Sequence, residues 1–208
     1  MKREEKNQQT RRRIMDSALT EFANQGYGAS SVNTICGVQG ISKGIIYHYF
    51  KTKDNLYLAC IEECFQLLIQ YLKSSFSVDE HPIEKQLEKY FSIRMTFFQE
   101  HPIYQPIFCE AVVSPPAHLK AEIQAIKQDF DSLNIKILED LLLPLSLRPE
   151  ISKSEVVDAF RQLQDFINIK YQIAGISEKE YERRDESCRK ALNILLYGVL
   201  ARKENENV

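Results

Sequence analysis

Glycine and proline are both scarce, at seven residues each in 208. That argues against an all-β chain, which needs many turns, and against a low-complexity one. Long hydrophobic runs are missing too: nothing approaches the roughly 20 apolar residues of a membrane span. The most apolar stretch, ALNILLYGVLA from Ala191 to Ala201, has the length of a helix buried among other helices. The five cysteines, at 36, 60, 64, 109 and 188, contain no CxxC pair. The N-terminus is charged and polar and does not read as a secretory leader. A reduced, cytosolic chain without membrane association is therefore expected. Cys60 and Cys64 lie four apart, with no nearby histidine or third cysteine to complete a metal set, and read as small buried hydrophobes. No Gly-rich phosphate loop and no Ser/His/Asp arrangement stands out, and His48, His81, His101 and His118 are isolated. Neither an enzyme nor a bound cofactor is expected.

What the chain does have is apolar residues, 44% of the total, and an uneven charge distribution. Residues 1–60 hold nine Lys+Arg against five Asp+Glu, whereas the remainder holds 18 against 24. A basic head on an acidic body suits a chain that meets a polyanion through one end. Helical periodicity dominates throughout. Residues 8–25 place Ile14, Ala18, Leu19 and Phe22 on one face, and Gly26-Tyr27-Gly28 breaks the helix. Short helices are expected over 32–38, with N-cap hydroxyls at Ser30 and Ser31, and over 42–50, capped by Ser42. Thr52 caps a long helix to about Ser75. Further helices follow over 83–100, 103–113, 117–143, 153–174 and 177–203, which makes nine and no convincing strand. The only composition shift lies near residue 52, dividing the chain into 1–52 and 53–208.

The segment GISKGIIYHYFKTKDNL, from Gly40 to Leu56, is ambiguous by propensity, because Ile45, Ile46, Tyr47, Tyr49 and Phe50 favour strands. As a helix it gathers Ile46, Tyr49 and Phe50 on one face and leaves Lys43, Ile45, Tyr47 and His48 outside it. As a strand it has no pairing partner, so the helix is the better reading. Two short helices joined through a Gly-containing turn, behind a longer supporting helix, form a helix-turn-helix whose second helix enters the DNA major groove. The outward residues suit that task. Gly44 allows close backbone approach, and Lys43 and Lys53 can neutralise phosphates. Tyr47 can donate to a phosphate, and His48 can serve a phosphate or a base edge. Ser31 and Thr34 can hold a further phosphate at a helix start. Arg11–Arg13 read either as an arm adding phosphate contacts or as a solvated helix start.

The segment from Arg11 to Leu56 resembles the DNA-binding domain of the TetR family of bacterial transcriptional regulators. The resemblance rests on Ile14, Ala18, Phe22, Gly26-Tyr27, Ser31-Val32, Ile35, Gly40-Ile41-Ser42-Lys43-Gly44, Tyr47-His48-Tyr49-Phe50, Lys53 and Leu56. It covers under a quarter of the chain. Cys36 and Gln39 stand where the family commonly has Ala, and Ile45 where it often has Thr. Ile45 can meet a thymine methyl instead of a phosphate, and Gln39 joins it in the candidate DNA-contacting set.

The resemblance implies a cytoplasmic homodimer closed by a four-helix bundle of the last two helices, and a near-palindromic double-stranded operator. The spacing of Phe160, Leu163, Ile167 and Tyr171, and of Leu192, Leu195, Leu196 and Val199, fits such an interface; the same faces can instead pack within one subunit. The resemblance also implies a small-molecule effector site between the fourth and seventh helices. Phe65, Leu68, Tyr90, Phe91, Phe97, Phe98, Tyr104, Phe108 and Phe130 would line a largely apolar pocket, with Arg94, Glu110 or His118 as orienting groups. The alternative is a plain aromatic core. A repressor released by effector is the leading expectation. An activator of the same fold and a helical adaptor without DNA binding remain open.

Overall fold

The computed structural model describes residues 3–79, 81–171, 186–187, 190–191 and 194–198. Its elements are α1 (Arg3–Ala29), α2 (Val32–Gln39), α3 (Lys43–Tyr49), α4 (Lys53–Ser75), α5 (Ile83–Glu100) and α6 (Tyr104–Val113). A 3-10 turn (Ala117–Leu119), α7 (Lys120–Leu142) and α8 (Lys153–Tyr171) follow. The fold is all-α. The described residues after 185 are helical as well, within the span expected for the ninth helix. Helix α1 begins five residues before the expected start. Its first turn carries Glu4 and Glu5, which favour the positive end of the helix dipole but leave no apolar periodicity to read.

The chain forms two compact units: residues up to 70 with 97–129, and residues 71–96 with those from 130 onward. In the first, Ile14, Met15, Ala18, Leu19 and Phe22 make one buried stripe on α1, and α1 contacts α2 and α6. Phe22 meets Tyr57 of α4 edge to face, 4.9 Å between ring centroids. Gly26 interrupts α1 at φ 69°, a region open to glycine at little cost. The short helices depend on this core, since seven or eight residues do not hold a helix alone. Burial of Val32 and Ile35, roughly 1.5–3 kcal/mol for each large side chain, outweighs the ~1 kcal/mol that Gly37 costs α2.

In the second unit, Leu87, Tyr90, Phe91, Phe130, Leu138, Leu141, Val156 and Phe160 build the core. Gln86 fastens the preceding loop to α5. It accepts from the Asp79 N–H (3.0 Å) and donates to the carbonyls of Asp79 (3.0 Å) and His81 (2.7 Å). Buried Tyr90 donates to Asn134, which itself donates to the Phe130 carbonyl. Helix α8 opens with a capping box: Ser152 Oγ accepts from the Glu155 N–H, and Glu155 accepts from the Ser152 N–H at 2.8 Å. These bonds from Ser152 hold the Glu155 carboxyl below its ordinary range.

Candidate nucleic-acid interface

Both short helices are capped as their sequence asks. Ser31 is the N-cap of α2, accepting from the Thr34 N–H at 3.1 Å, and its hydroxyl lies 2.8 Å from that of Thr34. Helix α2 ends at Gly40 with φ 64°, and the Ile41 N–H returns to the Cys36 carbonyl at 3.0 Å. That six-to-one bond, with Ile41 buried beside it, is a Schellman termination. Ser42 then caps α3, accepting from the Ile45 N–H. The turn between the helices is three residues long, and α2 contacts α3.

The faces of α3 follow from this register. Ile46 and Phe50 enter the core at 1% and 5% exposure, while Ile45 and Tyr47 stand 43% and 41% exposed. Lys43, Gly44 and His48 are exposed beside them. A Cβ added at Gly44 would meet nothing within 4 Å, so that side of the helix is open. The Lys43 ammonium lies 6.0 Å above the Tyr47 ring. Ser31 and Thr34 gather at the start of α2, and Lys43, Gly44, Ile45, Tyr47 and His48 share the outward part of α3.

Two other residues of the set are engaged inside the chain. Lys53 Nζ donates to the carbonyls of Tyr27 (2.8 Å) and Ser30 (3.1 Å) and sits 4.0 Å above the Tyr27 ring. Gln39 accepts from Arg13 through its side-chain oxygen (3.3 Å) and its carbonyl (3.0 Å).

Glu110 and His118, the polar groups expected to orient a ligand, reach the end of α1. Both Glu110 oxygens accept from the Tyr27 N–H, at 3.0 and 3.1 Å, and the Tyr57 hydroxyl donates to Glu110 at 2.7 Å. A Cβ at Gly26 would lie 3.2 Å from a Glu110 oxygen, so glycine there permits both the turn and the carboxylate. His118 Nε2 lies 3.1 Å from the Tyr27 hydroxyl and 3.6 Å from Asp54, to which that hydroxyl donates. Partial burial and the Asp54 bond push the Tyr27 phenol up to about 12. Nothing in the spacing of residues 27, 110 and 118 announces this cluster.

The expected aromatic lining is buried and falls in both units. Phe65, Leu68, Phe97, Phe98, Tyr104 and Phe108 belong to the first, with ring centroids of Phe108 5.4 Å from Phe65 and 5.1 Å from Phe98. Tyr90, Phe91, Arg94 and Phe130 belong to the second, with the Arg94 guanidinium 5.5 Å above Phe130. A groove of about 560 Å³ in the second unit is lined by other residues, among them Glu139 of α7, Leu143 just after it, and Lys153 and Arg161 of α8. Among the described residues no group of three His, Cys, Asp or Glu is placed to hold a metal ion. No described helix is long and apolar enough to cross a membrane.

Of the expected interface residues, Phe160 and Leu196 are buried within the chain, and Leu163 and Leu195 are half-buried. Leu192 and Val199, and the side chains of Ile167 and Tyr171, lie outside the described residues. The large exposed apolar side chains of these helices are Phe166 (61%), Ile194 (75%) and Tyr197 (69%), which the spacing did not single out.

Residues 14–60 match the family described as "Bacterial regulatory proteins, tetR family". Among curated relatives, the chain is 28% identical over 71 residues to the biofilm operon icaADBC HTH-type negative transcriptional regulator IcaR of Staphylococcus epidermidis, covering 32% of this chain and 38% of that one. It is 24% identical over 110 residues to the HTH-type transcriptional regulator RutR of Escherichia coli, 53% of this chain and 51% of that protein. The chain thus spans about half, or less, of the length of these relatives. Among solved structures, a TetR family transcriptional regulator from Chloroflexus aurantiacus superposes with a TM-score of 0.68 at 20% identity, over 94% of this chain and 95% of that one. A putative tetR family transcription regulator from Shewanella superposes at 0.67 and 15% identity, over 93% and 99%. Residues 14–60 thus carry a segment similar to the tetR family, and the chain shares its fold with solved TetR family regulators.

Proposed function

We propose that the chain is a sequence-specific DNA-binding transcriptional regulator acting in the cytoplasm as a homodimer. Residues 1–52 form the reading head and 53–208 the effector-binding and dimerising body. The observation that carries the reading is the division of α3: Ile46 and Phe50 anchor it, while Lys43, Gly44, Ile45, Tyr47 and His48 face outward beside the Ser31–Thr34 end of α2. This arrangement presents amide, hydroxyl and ammonium groups to phosphates and an apolar, aromatic edge to bases. Exposed Phe166, Ile194 and Tyr197 supply a surface for a second copy, and two heads on a two-fold axis read a near-palindromic operator. The staphylococcal relative is named a negative regulator, which favours repression here. A small, largely apolar effector taken up among the body's aromatic side chains would shift the population toward head spacings that no longer fit the operator.

Selection of fragmented source-genome DNA on the purified protein tests this, beside a Lys43→Ala/Tyr47→Ala variant. Both side chains are exposed, so the variant keeps the core. Enrichment of a palindromic motif by the parent alone is the expected result. No duplex binding by the parent at any salt concentration would overturn the reading and leave a helical adaptor.

A further inference from the structure

The run Arg11-Arg12-Arg13 is the densest positive charge of the basic head, yet each guanidinium is engaged within the chain. Arg12 donates to Glu63 of α4 and to Asp16, both at 2.7 Å. Arg11 lies 5.2 Å above the ring of Phe50, the residue that ends α3. Arg13 turns to the other end of the reading motif. One NH2 donates to the Gln39 carbonyl at 3.0 Å, and its Nε donates to the Gln39 side-chain oxygen at 3.3 Å. Gln39 is the last residue of α2, where carbonyls lack intrahelical partners and the helix dipole is negative. A planar two-donor fork suits that site better than a point charge.

The consequence falls on α3. It has seven residues, too few to hold itself, and Ile46 and Phe50 are its buried anchors. Its orientation therefore depends on the three-residue turn that begins one residue after Gln39 and on the packing around Phe50. Arg13 fixes the first and Arg11 rests on the second.

We propose that Arg13 is a positioning residue for DNA reading: it clamps the α2–α3 turn at Gln39, and with Arg11 on Phe50 it sets the angle of α3 without itself contacting the duplex. This rests on the regulator reading above, and the experiment has one arm that does not. In that arm, amide hydrogen exchange is followed by mass spectrometry on the protein alone, for the parent, Arg13→Ala and Arg13→Lys. Arg13→Ala is expected to speed exchange in peptides spanning 39–49 by about two- to fivefold, with peptides from 56–65 unchanged, as loss of one exposed charged contact implies. Arg13→Lys, which keeps one donor for the carbonyl, is expected to recover part of the protection.

In the second arm, affinities for the selected operator and for a scrambled duplex are measured across salt concentrations. The proposal expects Arg13→Ala to lower operator affinity about fivefold, to leave scrambled-duplex affinity unchanged, and to keep the slope of log K against log salt. A slope reduced by about 0.9, with equal loss on both duplexes, would make Arg13 a phosphate contact and overturn the proposal. Unchanged exchange over 39–49 would overturn it equally. A parent that binds no duplex selectively defeats the regulator reading instead, and the exchange arm then decides the clamp alone.

Discussion

Glu110 shows how much one carboxylate can organise. It accepts from the Tyr27 backbone and the Tyr57 hydroxyl, and so ties α6 to the end of α1 and to α4. Removing it leaves two donors without their acceptor, at a cost set by desolvation rather than by the mean value of a hydrogen bond. Glu110→Ala is expected to lose about 2 kcal/mol of unfolding free energy, read from urea denaturation, and Glu110→Gln to lose about half of that. The tyrosines around this network carry a pH dependence. Partial burial and the Asp54 bond hold Tyr27 near 12, and burial holds Tyr90 near 12, against an ordinary value of 10. Burial, then the Glu110 bond, raises Tyr57, and burial, then Glu63, raises Tyr104. A raised value means that the folded chain holds the proton more tightly than the unfolded one. The resulting stabilisation is complete below pH 10 and is lost as pH climbs toward 12. Alkaline titration at the tyrosinate absorbance is expected to show Tyr27, Tyr57, Tyr90 and Tyr104 ionising late and together with unfolding.

At the scale of elements, the reading motif is a sum of small local decisions. Ser31, Gly40 and Ser42 each satisfy backbone groups that eight- and seven-residue helices leave open. Ser42→Ala is expected to cost about 1 kcal/mol and to speed exchange at the start of α3, whereas Ser42→Asp should hold it; thermal unfolding with exchange at Ile45 and Ile46 checks both. These decisions were legible in the sequence because each acts within three or four residues: Ser31 on Thr34, Ser42 on Ile45, Ile46 with Phe50. The long helices were legible for a related reason, since a stripe such as Ile14, Ala18 and Phe22 repeats at the helical period. What the sequence hides is chemistry at long separation. Arg13 meets Gln39 across 26 positions, and Glu110 meets Tyr27 across 83. No periodicity links such pairs, so Arg13 read as a DNA arm or a solvated start, and Glu110 read as a ligand group. The early start of α1 escaped for the opposite reason, because polar residues in a solvated first turn carry no hydrophobic period.

For the whole molecule, the exposed apolar side chains near the C-terminal end are the feature a single chain leaves unexplained. Phe166, Ile194 and Tyr197 are each more than half exposed, although Phe160 and Leu196 in the same elements are buried. On the dimer reading, Phe166→Asp places a charge in an apolar contact on both sides of a two-fold axis. The parent is expected to sediment as a dimer and Phe166→Asp as a folded monomer with at least tenfold weaker operator binding; a monomeric parent would remove the two-headed mechanism. The central claim, however, concerns the outward face of α3. It is tested most directly by the ratio of affinities for the selected operator and a scrambled duplex, compared between the parent and an Ile45→Ala/Tyr47→Ala variant at one salt concentration. A ratio that collapses toward one, while scrambled-duplex affinity stays within about twofold, is the expected result. A ratio equal to the parent's would show that α3 does not read the sequence.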